Sequence, residues 1–172
     1  ARLITFYAES DLPLLRAGAQ TGMASAKLLS PVGVRVGNLE TAVECLTAAL
    51  EVFTESTSPF DWAAAQLGLG NVYQAMPTGS KAAHLEKALV CYTAALGVFT
   101  EAAHPGMWAA AQYGLGLTYL SLPLGNAMVN LRRGIACFTA ALRVNTEAGS
   151  PRGWAANQVG LGLAYANLPG RD

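Results

Sequence analysis

Apolar residues recur along this chain at three- and four-residue steps. From Leu39 onward, Leu39, Ala42, Val43, Leu46, Ala49, Leu50 and Phe53 form one series, while Glu40, Glu44, Thr47, Glu51 and Thr54 fall on the opposite side. The spacing predicts an amphipathic helix with one wet face. Pro59 opens a second helical segment, Phe60 to Met76, because proline is tolerated in a first turn whose N–H would be unpaired anyway. Pro77 and Gly79 close it. Ala63, Ala64, Ala65, Gly68, Leu69 and Gly70 make this helix apolar or small nearly all round, as expected of an element packed between close neighbours.

The helix pair returns every 46 residues without a gap: Cys45, Cys91 and Cys137, then Trp62, Trp108 and Trp154, then Tyr73, Tyr119 and Tyr165. A fixed period of this size marks stacked supersecondary units rather than one globular core. Three copies are expected, over residues 38–83, 84–129 and 130–172. Residues 1–37 carry the same register in diverged form, with Glu9, Pro13, Gln20, Gly22 and Pro31 matching Glu55, Pro59, Gln66, Gly68 and Pro77. Residues 1–172 thus read as a single repeat domain, and because both ends fall inside incomplete copies, it reads as a piece of a longer protein.

The strings Leu69-Gly70-x-x-Tyr73, Leu115-Gly116-x-x-Tyr119 and Leu161-Gly162-x-x-Tyr165 resemble the core of the first helix of a tetratricopeptide repeat. Ala88, Tyr92 and Ala95, repeated as Gly134, Phe138 and Ala141, are similar to that family's small-aromatic-small signature in the second helix. The resemblance covers essentially the whole chain. It departs from the family in its longer period, 46 against about 34 residues, and in Gln66, Gln112 and Gln158, which stand where a large residue is usual. The long-period pattern is similar to repeats of bacterial multidomain proteins. The fold it implies is all-α, a right-handed α-solenoid of antiparallel helix pairs.

Composition narrows the function. Of the 172 residues, 52% are hydrophobic and 13% charged, with zero formal net charge; the charged share is half the roughly 25% of an average soluble domain. No basic stripe is available for phosphates, so nucleic acid is not an expected partner. Met107 to Leu124 has the length of a membrane span, but Gln112, Thr118, Ser121 and Pro123 interrupt it and the segment recurs as a repeat helix. No membrane span is expected. Cys45, Cys91 and Cys137, held one repeat apart at about 10 Å, lie beyond the roughly 7 Å reach of a disulfide and read as buried thiols in a reducing cytoplasm.

Catalytic chemistry finds no constellation here. His84 and His104 do not recur between copies and make no metal-binding spacing. His84, in the column of Asn38 and Asn130, reads as a helix cap. Glu55, Glu101 and Glu147 recur without a carboxylate partner, and the glycines at 68 and 70 lie within a helix. No enzyme, cofactor or metal is therefore expected. Trp62, Trp108 and Trp154 read as wedges between repeats.

The resemblance implies a protein-interaction scaffold whose partner lies along a concave groove built by the first helix of each repeat. The groove positions it implies are Leu67, Asn71 and Gln74, then Tyr113, Leu117 and Leu120, then Val159, Leu163 and Asn167. None is basic, which argues against capture of a C-terminal carboxylate and for an apolar peptide segment or amphipathic helix. The alternative is self-assembly into a homo-oligomer through solenoid ends or apolar faces. The outward helices carry Glu40, Glu44, Glu51 and Glu55 in one copy and Arg132, Arg133 and Arg143 in the last, so charge changes sign along the rod.

Overall fold

A computed structural model describes residues 12–29, 35–123 and 125–168. Seven helices follow one another, α1 (Leu12–Leu29), α2 (Arg35–Leu50), α3 (Pro59–Ala75), α4 (Lys81–Val98), α5 (Pro105–Ser121), α6 (Ala127–Leu142) and α7 (Pro151–Ala166). The described residues contain no strand. Each helix packs on its neighbours in sequence, and α1 touches α3, α3 touches α5 and α5 touches α7. Among the described residues this is an all-α stack of helix pairs held by contacts between near-neighbour helices. Of the residues marking the diverged first copy, Glu9 and Pro31 lie outside the described residues; α1 nonetheless has Pro13 in its first turn, as α3, α5 and α7 begin at Pro59, Pro105 and Pro151.

The connections repeat as faithfully as the helices. Thr54, Thr100 and Thr146 each fold a short turn, their hydroxyls accepting from the backbone N–H of Thr57, Ala103 and Gly149 at 3.0–3.1 Å. The even helices begin one turn earlier than expected, at Arg35, Lys81 and Ala127. His84 is consequently inside α4 and not its cap. The caps are Ser80, whose side chain accepts from Ala83 N, and Asn126, which accepts from the N–H groups of Met128 and Val129. Before each stands a glycine with positive φ, Gly79 at 77° and Gly125 at 81°, conformations that favour glycine.

The stack is locked by one bulky side chain per even helix. The Tyr92 ring of α4 is fully buried between Gly70 of α3 and Gly114 of α5. A Cβ on Gly70 would lie 2.7 Å from the ring, and one on Gly114 would stand closer still. Phe138 of α6 is held in the same way by Gly116 and Gly160, each with a would-be Cβ contact of 2.6 Å. Leu46 of α2 occupies the matching place, with a Cβ on Gly68 3.2 Å away and Ala24 in the same apolar cluster. Each glycine costs a helix about 1 kcal/mol. Burying an aromatic side chain of roughly 150–250 Å² at about 25 cal/mol per Å² returns about 4–6 kcal/mol as an upper estimate. The exchange favours the slot.

Two of the three tryptophans serve the same packing. Trp108 is buried in the central cluster with Leu67, Tyr92 and Phe99, and Trp62 packs against its edge. Helix α7 ends the described stack, and Gly162, the counterpart of Gly70 and Gly116, has nothing within 4 Å of an added Cβ. Gly116→Leu is therefore expected to destabilise by on the order of 1–3 kcal/mol through overpacking. Gly162→Ala should instead stabilise, by up to about 1 kcal/mol of helix propensity. Thermal melts followed by circular dichroism check both; equal effects at the two glycines would contradict the slot.

Candidate binding surface

The nine residues expected to line a groove do not share one environment. Leu67 is 8% exposed and belongs to the central apolar cluster, which corrects its place in a groove: it is buried in the cluster that α3 forms with residues of α4, α5 and α6. Asn71 is exposed, but its Oδ1 accepts the Tyr92 hydroxyl at 2.8 Å. Gln74 is half-buried and works as a strap, its Nε2 donating to Gly114 O at 3.1 Å and to Thr118 Oγ1 at 2.9 Å, with its Oε1 3.4 Å from the Tyr92 hydroxyl. Thr118, fully buried, donates in turn to Gly114 O at 2.7 Å. Gln74 is thus committed to the α3–α5 contact rather than free for a ligand.

In the next copy the same positions are apolar, and so is the knob. Asn71 and Gln74 become Leu117 and Leu120 where Tyr92 becomes Phe138. The amides accompany a hydroxyl that needs acceptors, since a buried polar group left unpaired costs about 1–3 kcal/mol. Leu120 is half-buried against α6, about 3.5 Å from where a Cβ on Gly134 would stand. Tyr113 is half-buried with its ring centroid 5.9 Å from that of Phe138. Leu117 is half-buried. On α7, Val159 and Leu163 are 63% and 52% exposed, and exposed Asn167 donates from Nδ2 to Leu163 O at 2.7 Å.

Elsewhere, an open notch of about 400 Å³ lies between α2, α3 and α4, lined among others by Glu40, Glu44, Tyr73, His84 and Lys87. The Tyr73 and His84 rings stack at 6.1 Å and 16°, and the Lys87 ammonium stands 5.2 Å over the Tyr73 ring. Burial, then the neighbouring Cys91, raises the Tyr73 phenol above its ordinary range. The notch is open to solvent, where fixed charges act weakly compared with a water-excluded site. Among the described residues no group of three or more His, Cys, Asp and Glu side chains could hold a metal ion, and no helix is long and apolar enough to cross a membrane.

The outward charges are exposed, but two of the arginines have internal uses. Arg143 bonds Glu101 at 2.6 Å and lies 5.3 Å over the Trp108 ring, and Arg133 lies 5.6 Å over the Tyr119 ring. An exposed pair such as Arg143–Glu101 contributes about 0–1 kcal/mol. No family model, curated protein or solved structure matches this chain.

The three cysteines are free thiols; Cys45 and Cys91 are buried and Cys137 half-buried. Burial pushes the Cys91 thiol from 9.0 up to about 11 against an opposing effect of Lys87, and burial pushes Cys137 up to about 11 as well. Because the folded chain holds these protons more tightly than the unfolded chain, their contribution to stability is complete below the unfolded value of 9.0 and is lost as pH rises toward about 11. Tyr92, raised mainly by burial and then by Cys91 and Tyr113, acts in the same direction at still higher pH. Melting temperature is expected to fall across this alkaline window, and alkylation near neutral pH to be at least about tenfold slower for the native than for the unfolded chain. A flat alkaline profile with rapid native labelling would contradict the burial of the thiols.

Proposed function

We propose that this chain is a tetratricopeptide-type α-solenoid that acts as a non-enzymatic protein-interaction module, taking an apolar peptide segment or amphipathic helix along the inward faces of α3, α5 and α7. The observation that carries this reading is one repeat position. Asn71, Leu117 and Leu163 recur at the same register and are all at least partly exposed, whereas the residues that follow them, Val72, Thr118 and Ala164, are all buried. A periodic, mostly apolar stripe of this kind fits an extended or helical partner better than a compact small molecule. The free cysteines support a reducing, cytoplasmic setting. The likeness of the repeat to those of bacterial multidomain proteins supports a scaffold role beside other domains.

A second reading is favoured by the ends of the stack. Leu14, Leu15 and Met23 of α1 and Val159, Leu163 and Tyr165 of α7 are exposed, and apolar ends of this kind support self-assembly of solenoids.

The groove reading is tested at Leu117, which lies in the middle of the stripe and away from both ends. Peptides selected against the intact chain from a display library are expected to lose at least about tenfold in affinity on Leu117→Lys, since burying such a side chain recovers roughly 1.5–3 kcal/mol. Helix content and melting should be unchanged. Undiminished binding, or a variant that melts early because Leu117 belongs to the core, would overturn the reading.

A further inference from the structure

Among the described residues helix α7 leaves uncovered a face that the stack covers twice elsewhere, and the chain itself shows what such a face receives. At Gly70 and Gly116 the next helix seats an aromatic ring where a Cβ would stand, 2.7 and 2.6 Å away, while Gly162 at the same register meets nothing within 4 Å. Tyr165 is 57% exposed. Its counterparts Tyr73 and Tyr119 are half-buried, and a cation from the next helix stands over each ring, Lys87 at 5.2 Å and Arg133 at 5.6 Å. Val159 is exposed where Leu67 is buried.

The two covering helices present one pattern in one register. Lys87 or Arg133 comes first and a small residue, Ala88 or Gly134, follows it; the ring of Tyr92 or Phe138 stands five places after the cation, and Ala95 or Ala141 three places later. Each feature answers one on the receiving helix. The ring fills the space above a glycine, the small residues let the backbones close, and the cation meets the negative face of a tyrosine ring. Helix α7 offers the glycine and the tyrosine again, at the same spacing of three residues.

We propose that the α7 face centred on Gly162 and Tyr165 is a docking site for a helix of this pattern, its aromatic ring seated over Gly162 and its Lys or Arg over the Tyr165 ring. The occupant is thereby specified chemically: an amphipathic helix with a cation five residues before a buried aromatic and small residues four before and three after it. The site lies at the end of the stack and does not depend on the Leu117 stripe.

The probe is a labelled peptide of residues 126–144 of this chain, which includes the α6 cap and pattern, titrated onto the intact protein and read by fluorescence anisotropy. Saturable binding is expected. Phe138→Ala in the peptide should weaken it by at least about tenfold, and Arg133→Ala by a smaller factor that shrinks as salt is added. Gly162→Leu in the protein should abolish binding while leaving circular dichroism unchanged, because an added Cβ there meets nothing within 4 Å among the described residues. Absence of saturable binding up to about 1 mM would overturn the proposal. Binding that survives Gly162→Leu would also overturn it, showing the peptide displacing α6 from its own slot. So would equal binding by a scrambled peptide, which would mean a merely sticky face, or a Gly162-dependent dimer of the chain that excludes the peptide, which would make the occupant a second copy.

Discussion

A bulky side chain on each even helix occupies volume left free by the missing or minimal side chains of the two odd helices beside it, and the remaining architecture follows from that exchange. Tyr92 between Gly70 and Gly114, and Phe138 between Gly116 and Gly160, allow no Cβ at either glycine without displacement of a ring. The knob touches the helix before it and the helix after it, so the same contact joins a pair and stacks the pair on the next. Interiors packed at crystal-like density transmit such a constraint over a full repeat. Leu46, a smaller knob, is matched by Ala24 and by the looser approach to Gly68.

The amides beside Tyr92 are consequences of the knob. A tyrosine in the slot brings a hydroxyl, and Asn71 and Gln74 are there to accept it. A phenylalanine brings none, and the two positions are leucine. These positions therefore change from amide to apolar from one copy to the next for internal reasons, and Leu117 and Leu163 are left with no hydroxyl to accept, whereas Gln74 is tied to α5. At α7 the same architecture lacks a knob among the described residues, so that Gly162, Tyr165 and Val159 are left open.

Much of this was legible locally. Prolines in first turns, alternating wet and dry faces, and small residues at close contacts are properties of single helices, and the helix starts at Pro59, Pro105 and Pro151 follow from them. The expected packing role of Gly68 and Gly70 also stands, with the Leu46 side chain closing on the first and the Tyr92 ring on the second. The cap was misplaced because Asn126 and Asn130 are both capping types one turn apart; the glycines before Ser80 and Asn126, required by positive φ, were the signal that separates them. The groove placement of Leu67 and Gln74 fails for a different reason. A helical face can be read from periodicity, but which neighbour arrives at that face is decided by stacking, and the pairing of Asn71 and Gln74 with the Tyr92 hydroxyl emerges only from the contact between α3 and α4.

The most direct measurement of the knob-and-slot account is a double-mutant cycle that rebuilds the Ala24–Leu46 arrangement at the next slot. Gly70→Ala should destabilise the chain by crowding the Tyr92 ring, and Tyr92→Leu should destabilise it by leaving the slot underfilled and the amides without their hydroxyl. When the two are combined, the shorter side chain on α4 leaves room for the methyl group added on α3, and the double variant is expected to be more stable than the sum of the single effects by about 1–2 kcal/mol in denaturant unfolding. Strict additivity of the two substitutions would show that the ring and the glycine are not in mutual contact, and would contradict the account.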